Sequence, residues 1–290
     1  MNTLIPFDFS GQGARGVILR IDEGVEAMFG ARDYSADVRQ LLGEAAAAAP
    51  MLASHLKFEG RINLQFQGGD RIQLLVAQVD HQLRVRAMAK AGPEIDGSFK
   101  ALLQGGLLAW LLEPRHGQPY QAYVEISGDS LAASLEGYFA QSEQLPTRLL
   151  LASGATSLAG LLLQRVPGAD GDDADGYWQH LCALFGTLKA EELLSADSGT
   201  VLRRLFHQEP LRRHEPREVQ LSCTCSRASI SQMLLSLGRD EIEPIFEERD
   251  HVEVTCEFCG REYRYVRSEV QELFDGAEAQ REPNPIQQTH

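Results

Sequence analysis

Positive charge is scarce in this chain. Twenty-seven lysines and arginines stand against 41 aspartates and glutamates, a formal net charge of −14 over 290 residues. A phosphate backbone repels such a surface, and no basic stripe offsets it, so no nucleic-acid partner is expected. Long apolar runs are missing too. No stretch of about 18 uninterrupted apolar residues occurs, so no membrane-spanning helix is expected. The opening residues, MNTLIPFDFSGQGARG, lack a basic start followed by an apolar core and do not read as a secretory signal. There is no Gly-rich Lys-Ser/Thr phosphate loop, hence no visible nucleotide engine. Nothing like a nucleophile elbow surrounds Ser142, so Ser142-Glu143 with His116 or His180 makes no Ser-His-Asp arrangement.

Apolar residues make up 43% of the chain, enough to build a core in one large domain with a small appendage. Residues 14–22 read as a strand after a Gly-rich turn. Val38, Leu41, Leu42, Ala45, Ala49 and Leu52 recur at helical spacing, and Pro50 is expected to kink that helix or end it at the preceding turn. Runs at 61–66, 71–79 and 83–89, separated by Gly68-Gly69-Asp70 and Asp80-His81-Gln82, predict an antiparallel meander. Further strands are expected at 119–126, 147–152 and 158–166. A helix capped by Asp129 or Ser130 should run through Leu131, Leu135 and Phe139. Mixed helices and antiparallel strands without regular βαβ alternation argue an α+β fold. Trp110 and Phe139 read as core.

The acidic stretch 169–176 is the best domain boundary. Beyond it, helices are predicted over 177–188 and 191–206. The segment 208–218, charged and carrying two prolines, reads as a weakly packed linker. Leu181, Leu184, Leu188, Leu193, Leu194, Leu202, Leu205 and Phe206 lie in this region. They fit equally a marginally stable segment docked on a partner surface and the ordinary core of stable helices. Further on, helices at 228–237 and 240–247, strands at 251–255 and 262–266, and a closing helix at 268–274 are expected.

Only five cysteines are present, and four fall between 223 and 259. Close pairs without a secretory signal point to a reducing compartment and to metal or redox chemistry rather than a disulfide scaffold. Cys223 and Cys225 are separated by thirty residues, 226 through 255, from Cys256 and Cys259. Two such pairs supply four thiolates at tetrahedral corners, and sulfur ligation selects zinc over magnesium or calcium. A region of roughly 55 residues has too small a core to be secure alone, so metal would supply folding energy. An inert structural zinc site is the plain alternative. Against it, Cys-x-Cys can close only into a strained and therefore labile disulfide. Oxidation could then expel the metal and unfold the region. Cys182, beside Leu181, Leu184 and Phe185, reads as a buried inert thiol. His207 and His214 read as solvated, since four thiolates already complete the tetrahedron.

Several segments together carry a family resemblance: Ala14-Arg15-Gly16, Leu64-Gln65-Phe66-Gln67-Gly68, Ser142-Glu143-Gln144-Leu145-Pro146-Thr147, Gly160-Leu161-Leu162-Leu163-Gln164, Cys223-x-Cys225-Ser226-Arg227 and Cys256-Glu257-Phe258-Cys259. Over nearly its whole length the chain resembles the redox-regulated 33 kDa heat-shock proteins of bacteria. The resemblance implies a cytoplasmic, ATP-independent holdase rather than an enzyme. It implies an N-terminal client-binding core over 1–168, a metastable helical linker over 169–222, a zinc-binding redox-switch domain over 223–276 and a flexible tail over 277–290. One zinc per chain would sit on Cys223, Cys225, Cys256 and Cys259 in a nearly inactive reduced form. Oxidation would join Cys223 to Cys225 and Cys256 to Cys259, release zinc and unfold the switch domain and linker. Unfolding client proteins would then be bound, often by a homodimer.

Two other function classes compete. A thiol–disulfide oxidoreductase using Cys256 and Cys259 would need a helix N-terminus after the first cysteine, where the sequence reads as strand. A structural zinc-ribbon module would bind nucleic acid or protein, and the acidic balance disfavours nucleic acid.

Overall fold

The computed structural model describes residues 1–30, 32–54, 56, 59–167 and 174–281. The chain forms two compact units that part between Cys223 and Thr224. The first unit begins with strands β1 (Thr3–Phe9) and β2 (Ala14–Ile21) and helices α1 (Val25–Phe29) and α2 (Ala36–Ala53). Strands β3 (Gly60–Gln67), β4 (Leu74–Asp80) and β5 (Arg84–Lys90) follow, then helix α3 (Phe99–Leu102) and strands β6 (Leu107–Pro114) and β7 (Tyr120–Val124). Helix α4 (Leu131–Gln141) leads to β8 (Thr147–Ser153) and β9 (Leu158–Arg165). Helices α5 (Ala174–Phe185), α6 (Ala190–Ser195) and α7 (Ser198–Phe206) precede the short strands β10 (Leu211–Arg213), β11 (Arg217–Glu218) and β12 (Gln220–Leu221).

One sheet has the order β10-β1-β2-β9-β8, with β11 also on β1; the other runs β12-β5-β4-β3-β6-β7. All pairings are antiparallel except that of β12 with β5. The expected meander is β3-β4-β5, and the α+β class holds. Helix α2 packs against both sheets. Its residues Ala45 to Ala49 are fully buried, so the smallest side chain with a Cβ sets its approach. At Gly43 even that is too much, because an added Cβ would lie 2.1 Å from the Ser153 Oγ. Ser35 caps the helix by accepting the Val38 N–H. The helix does not stop before Pro50 but carries it inside and ends a turn later. Burial of Met51 and Leu52 in that last turn offsets the roughly 3 kcal/mol that an interior proline costs. Ser130, not Asp129, caps α4 through the Ala133 N–H.

Strands β2 and β9 are buried on both faces, as continuous apolar runs require. Val17, Leu19 and Leu162 face the core shared with α2, whereas Ile18, Leu161 and Leu163 face α5–α7. Leu181, Leu188, Leu193, Leu202, Leu205 and Phe206 bury against that second face together with Phe7 and Phe9. The expected helix over 191–206 is two helices, broken at Ala196-Asp197, where the Asp197 side chain caps α7. The acidic boundary stretch lies largely outside the described residues. The segment 208–218 is not the loose linker expected, nor is it helical, since β10 and β11 pair with β1. The break between them falls opposite Ile5 and Pro6, where Pro6 has no N–H to offer a ladder.

Asp8 on β1 pins β10, with Oδ2 lying 2.9 Å from Arg212 Nη2 and 2.6 Å from His214 Nε2. Partial burial works to raise the Asp8 pKa, but the hydrogen bonds from Arg212 and His214 outweigh it, and the carboxyl sits below its ordinary value. A depressed carboxyl contributes stability above its unfolded pKa, about 3.9, and loses it as pH falls through the folded value. Hydrogen-exchange protection factors at residues 211–214 are therefore expected to drop below about pH 4, relative to those of β8–β9. Asp8→Asn should remove that dependence. An equal acid loss in the variant would assign the effect to other carboxylates.

The second unit contains α8 (Arg227–Leu237), α9 (Arg239–Ile242), α10 (Ile245–Glu248), strands β13 (His251–Thr255) and β14 (Glu262–Val266), and α11 (Arg267–Arg281). The two strands form a hairpin with His251 opposite Val266 and Thr255 opposite Glu262. Helix α11 runs past Gly276, where fraying was expected. The buried interior is small and includes Leu234, Ile242, Val252, Tyr265, Val270 and Phe274. A core of this size supplies no more than about 3–5 kcal/mol.

Candidate metal centre

The Cys256–Cys259 pair occupies the turn of the β13–β14 hairpin. The Cys256 N–H donates to the Arg261 carbonyl at 2.9 Å, and the Gly260 N–H donates to the Cys256 carbonyl at 2.8 Å. Gly260 has φ 68°, a left-handed conformation that costs a residue with a Cβ more than it costs glycine. Cys223 and Cys225 approach from just before α8. That helix starts at a capping box in which the Ser226 and Ser229 side chains each accept the other's backbone N–H.

Folding back brings the four sulfurs of Cys223, Cys225, Cys256 and Cys259 within 4.8 Å of one another. The Cys225 and Cys259 sulfurs are 3.5 Å apart. Four sulfurs on one tetrahedral zinc, with Zn–S about 2.3 Å, would stand about 3.8 Å apart, so the observed spacings suit such an ion. The donor set is soft and all-sulfur, which disfavours hard cations. Cys256 is buried at 8% exposure, and the other three are half-buried.

The surroundings steady the sulfurs. The Tyr263 hydroxyl donates to the Cys225 sulfur at 3.2 Å, and this bond holds the phenol above its ordinary pKa. Arg261 is raised as well, by Tyr263 first and by the Cys225 and Cys259 sulfurs after it. The Arg227 guanidinium lies 4.2 Å from the Tyr265 ring centroid and bonds the Glu269 carboxylate at 2.6 Å. The Tyr265 hydroxyl donates in turn to the Arg227 carbonyl at 2.9 Å. Tyr263 and Arg227 were not read as site residues from the sequence. Tyr263 pairs with Val254 across the hairpin, and its hydroxyl reaches Cys225, 38 positions earlier in the chain, a contact that sequence spacing does not signal.

Cys182 stands apart on α5 and is half-buried rather than buried. Burial raises its pKa, Arg148 pulls it down and Glu136 pushes it up, with a net rise. A raised thiol carries little thiolate and reacts slowly. His214 pairs with Asp8, and His207 is exposed at the end of α7. Neither joins the four sulfurs. The Cys256–Cys259 turn leads into a strand, not a helix, so it lacks the helix N-terminus that lowers the nucleophile's pKa in dithiol oxidoreductases. No described helix is long and apolar enough to cross a membrane.

The family model described as Hsp33 protein matches residues 2–266. The 33 kDa chaperonin of Chromobacterium violaceum is 40% identical over 273 residues, covering 93% of this chain and 92% of its own length. The 33 kDa chaperonin of Azotobacter vinelandii is 39% identical over 277 residues, covering 93% of each. The crystal structure of the 33 kDa chaperonin (heat shock protein 33 homolog) of Thermotoga maritima superposes with a TM-score of 0.81 at 22% identity, over 96% of this chain and 100% of that one.

Proposed function

This chain belongs to the Hsp33 family, and from that membership we propose that it is a redox-regulated, ATP-independent holdase chaperone of the cytoplasm. In the reduced form Cys223, Cys225, Cys256 and Cys259 hold one zinc ion, which supplies the folding energy that the small interior of the second unit lacks. Each cysteine pair can give two electrons to a peroxide-class oxidant, closing one disulfide within Cys223–Cys225 and one within Cys256–Cys259. The thiolates are then lost as ligands, and the unit loses its metal and its fold. The observation that carries this reading is the gathering of four sulfurs within 4.8 Å, three of them half-exposed.

The linker is the second moving part. Helices α5, α6 and α7 have 12, 6 and 9 residues, and isolated helices shorter than about 12–15 residues are marginal in water. They depend on docking against Phe7, Phe9, Leu161 and Leu163. Their release would expose apolar surface on helices and sheet alike, which suits a client site. The active form is a homodimer that holds unfolding proteins and performs no catalysis.

The test is light scattering from a thermally unfolding client, with this chain added either reduced and zinc-loaded or oxidised and zinc-free. Suppression by the oxidised form alone is the expected result. Suppression by neither form would leave the sulfur cluster a structural staple and sink the chaperone reading.

A further inference from the structure

A cleft of about 360 Å³ opens in the first unit, at the lower end of the range of small-molecule sites, about 300–1,000 Å³. Its walls are mostly apolar, with Trp110 and Leu112 from β6 and Phe139 from α4. Arg15, Gln164 and Glu143 share it with the hydroxyl-bearing Tyr120 and Tyr138. No cysteine lines it, and nothing in the proposed redox cycle uses it.

The β2–β9 register sets Arg15 opposite Gln164, and the β8–β9 register sets Thr147 opposite the same glutamine. A hydrogen-bond chain follows. The Thr147 hydroxyl donates to the Leu145 carbonyl at 2.8 Å, and Gln164 Nε2 donates to the Thr147 Oγ1 at 3.1 Å. Gln164 Oε1 then accepts from Arg15 Nη2 at 2.7 Å and from Nε at 3.3 Å. Gln164 is 2% exposed, so its amide is fixed and holds the guanidinium in place. A guanidinium has five N–H donors. Two go to Gln164, leaving three without a partner among the described residues. Arg15 forms no ion pair among those residues. It is half-buried, and burial lowers its pKa. A cation positioned by a neutral amide, facing a mostly apolar cleft and ion-paired with none of the described residues, Glu143 of the same cleft included, is arranged for an anion to be brought in.

We propose that this cleft binds a small amphipathic monocarboxylate, with its carboxylate on Arg15 and its hydrocarbon body against Trp110, Leu112 and Phe139. The planar fork of arginine matches a carboxylate with two parallel bonds. No second cation lines the cleft, which favours one negative charge over the two of a phosphate monoester. Glu143, exposed at the cleft and bonded by the Tyr138 hydroxyl at 2.5 Å, adds a repulsion that a dianion would feel more strongly.

The experiment titrates decanoate into the full-length, reduced, zinc-loaded chain below its micellar range, by calorimetry and by tryptophan fluorescence, since Trp110 lines the cleft. Decanol and decyl phosphate serve as the neutral and dianionic analogues. Saturable binding of one decanoate per chain is expected, at least tenfold tighter than decanol and tighter than decyl phosphate. Arg15→Gln should weaken decanoate at least tenfold without changing decanol. Glu143→Gln should tighten decanoate severalfold, a gain that misfolding cannot produce. Decanol binding as tightly as decanoate, unsaturable binding, or an Arg15→Gln chain with unchanged affinity would overturn the proposal. Decyl phosphate binding more tightly than decanoate would overturn the assignment to a carboxylate. All variants keep the five cysteines, so a failure here is separate from a failure of the redox reading.

Discussion

Exchange of Cys256 for serine is expected to abolish metal binding and to unfold residues 224–281 under reducing conditions, with the first unit intact. Cys256 is the most buried of the four sulfurs and sits where the hairpin turns. Metal binding by a structural four-ligand zinc site is worth about 10–16 kcal/mol at neutral pH, whereas the apolar interior of this unit supplies about 3–5 kcal/mol. Metal therefore outweighs the interior in holding this fold. Metal content by atomic spectroscopy should fall from one per chain to none. Hydrogen exchange should lose protection at Val252, Tyr263 and Tyr265 but not along β2–β9. Cys182→Ser should change neither readout. Retained protection in the Cys256→Ser chain would mean that packing, not metal, folds the unit, and the proposed switch would have no lever.

Phe206→Ala is expected to switch the chaperone on without oxidation. Phe206 is 2% exposed. Its ring meets Phe9 edge-on at a centroid distance of 5.2 Å and lies 6.2 Å from Phe7. Truncating a buried phenylalanine costs about 3–5 kcal/mol, comparable to what holds a marginal segment down. Amides over 174–206 should exchange faster, and the reduced, zinc-loaded variant should suppress client aggregation to nearly the level of the oxidised wild type. Leu202→Ala, at a buried position of the same face, should act in the same direction. Faster exchange without suppression would separate linker release from client binding. Unchanged exchange would show that α5–α7 are firmly held core.

The strands that alternate polar and apolar residues were legible in the sequence, as at 61–66, because one face of β3 meets the core. The unassigned strands broke that signal in different ways. In β6, LLAWLLEP is a continuous apolar run, which periodicity cannot distinguish from a buried helix. In β1, Pro6 reads as a strand breaker, yet it falls where the pairing with β10 and β11 is interrupted. Helix α2 passed through Pro50 because tertiary burial outweighed local propensity. The four cysteines were conspicuous because their chemistry is carried by residue type and spacing alone. The Arg15–Gln164–Thr147 chain was not, since Arg15 and Gln164 lie 149 positions apart and only the strand register joins them.

The buried alanines of α2 have a further consequence. Alanine has no side-chain torsion to rotate and no sulfur or ring for an oxidant to attack. The alanine stretch of that seam is therefore chemically mute, and the thioether of α2, Met51, is fully buried. Met88 is buried as well, whereas Met28 is half-buried and Met1 and Met233 stand 88% and 40% exposed. Thioether oxidation follows access. A dose of peroxide should thus leave the mass of peptides from 36–53 unaltered while the sulfur-bearing peptides beyond 222 gain oxygen or lose hydrogen. The alanine stretch of α2 offers an oxidant only hydrocarbon, whereas four of the five cysteines fall between residues 223 and 259.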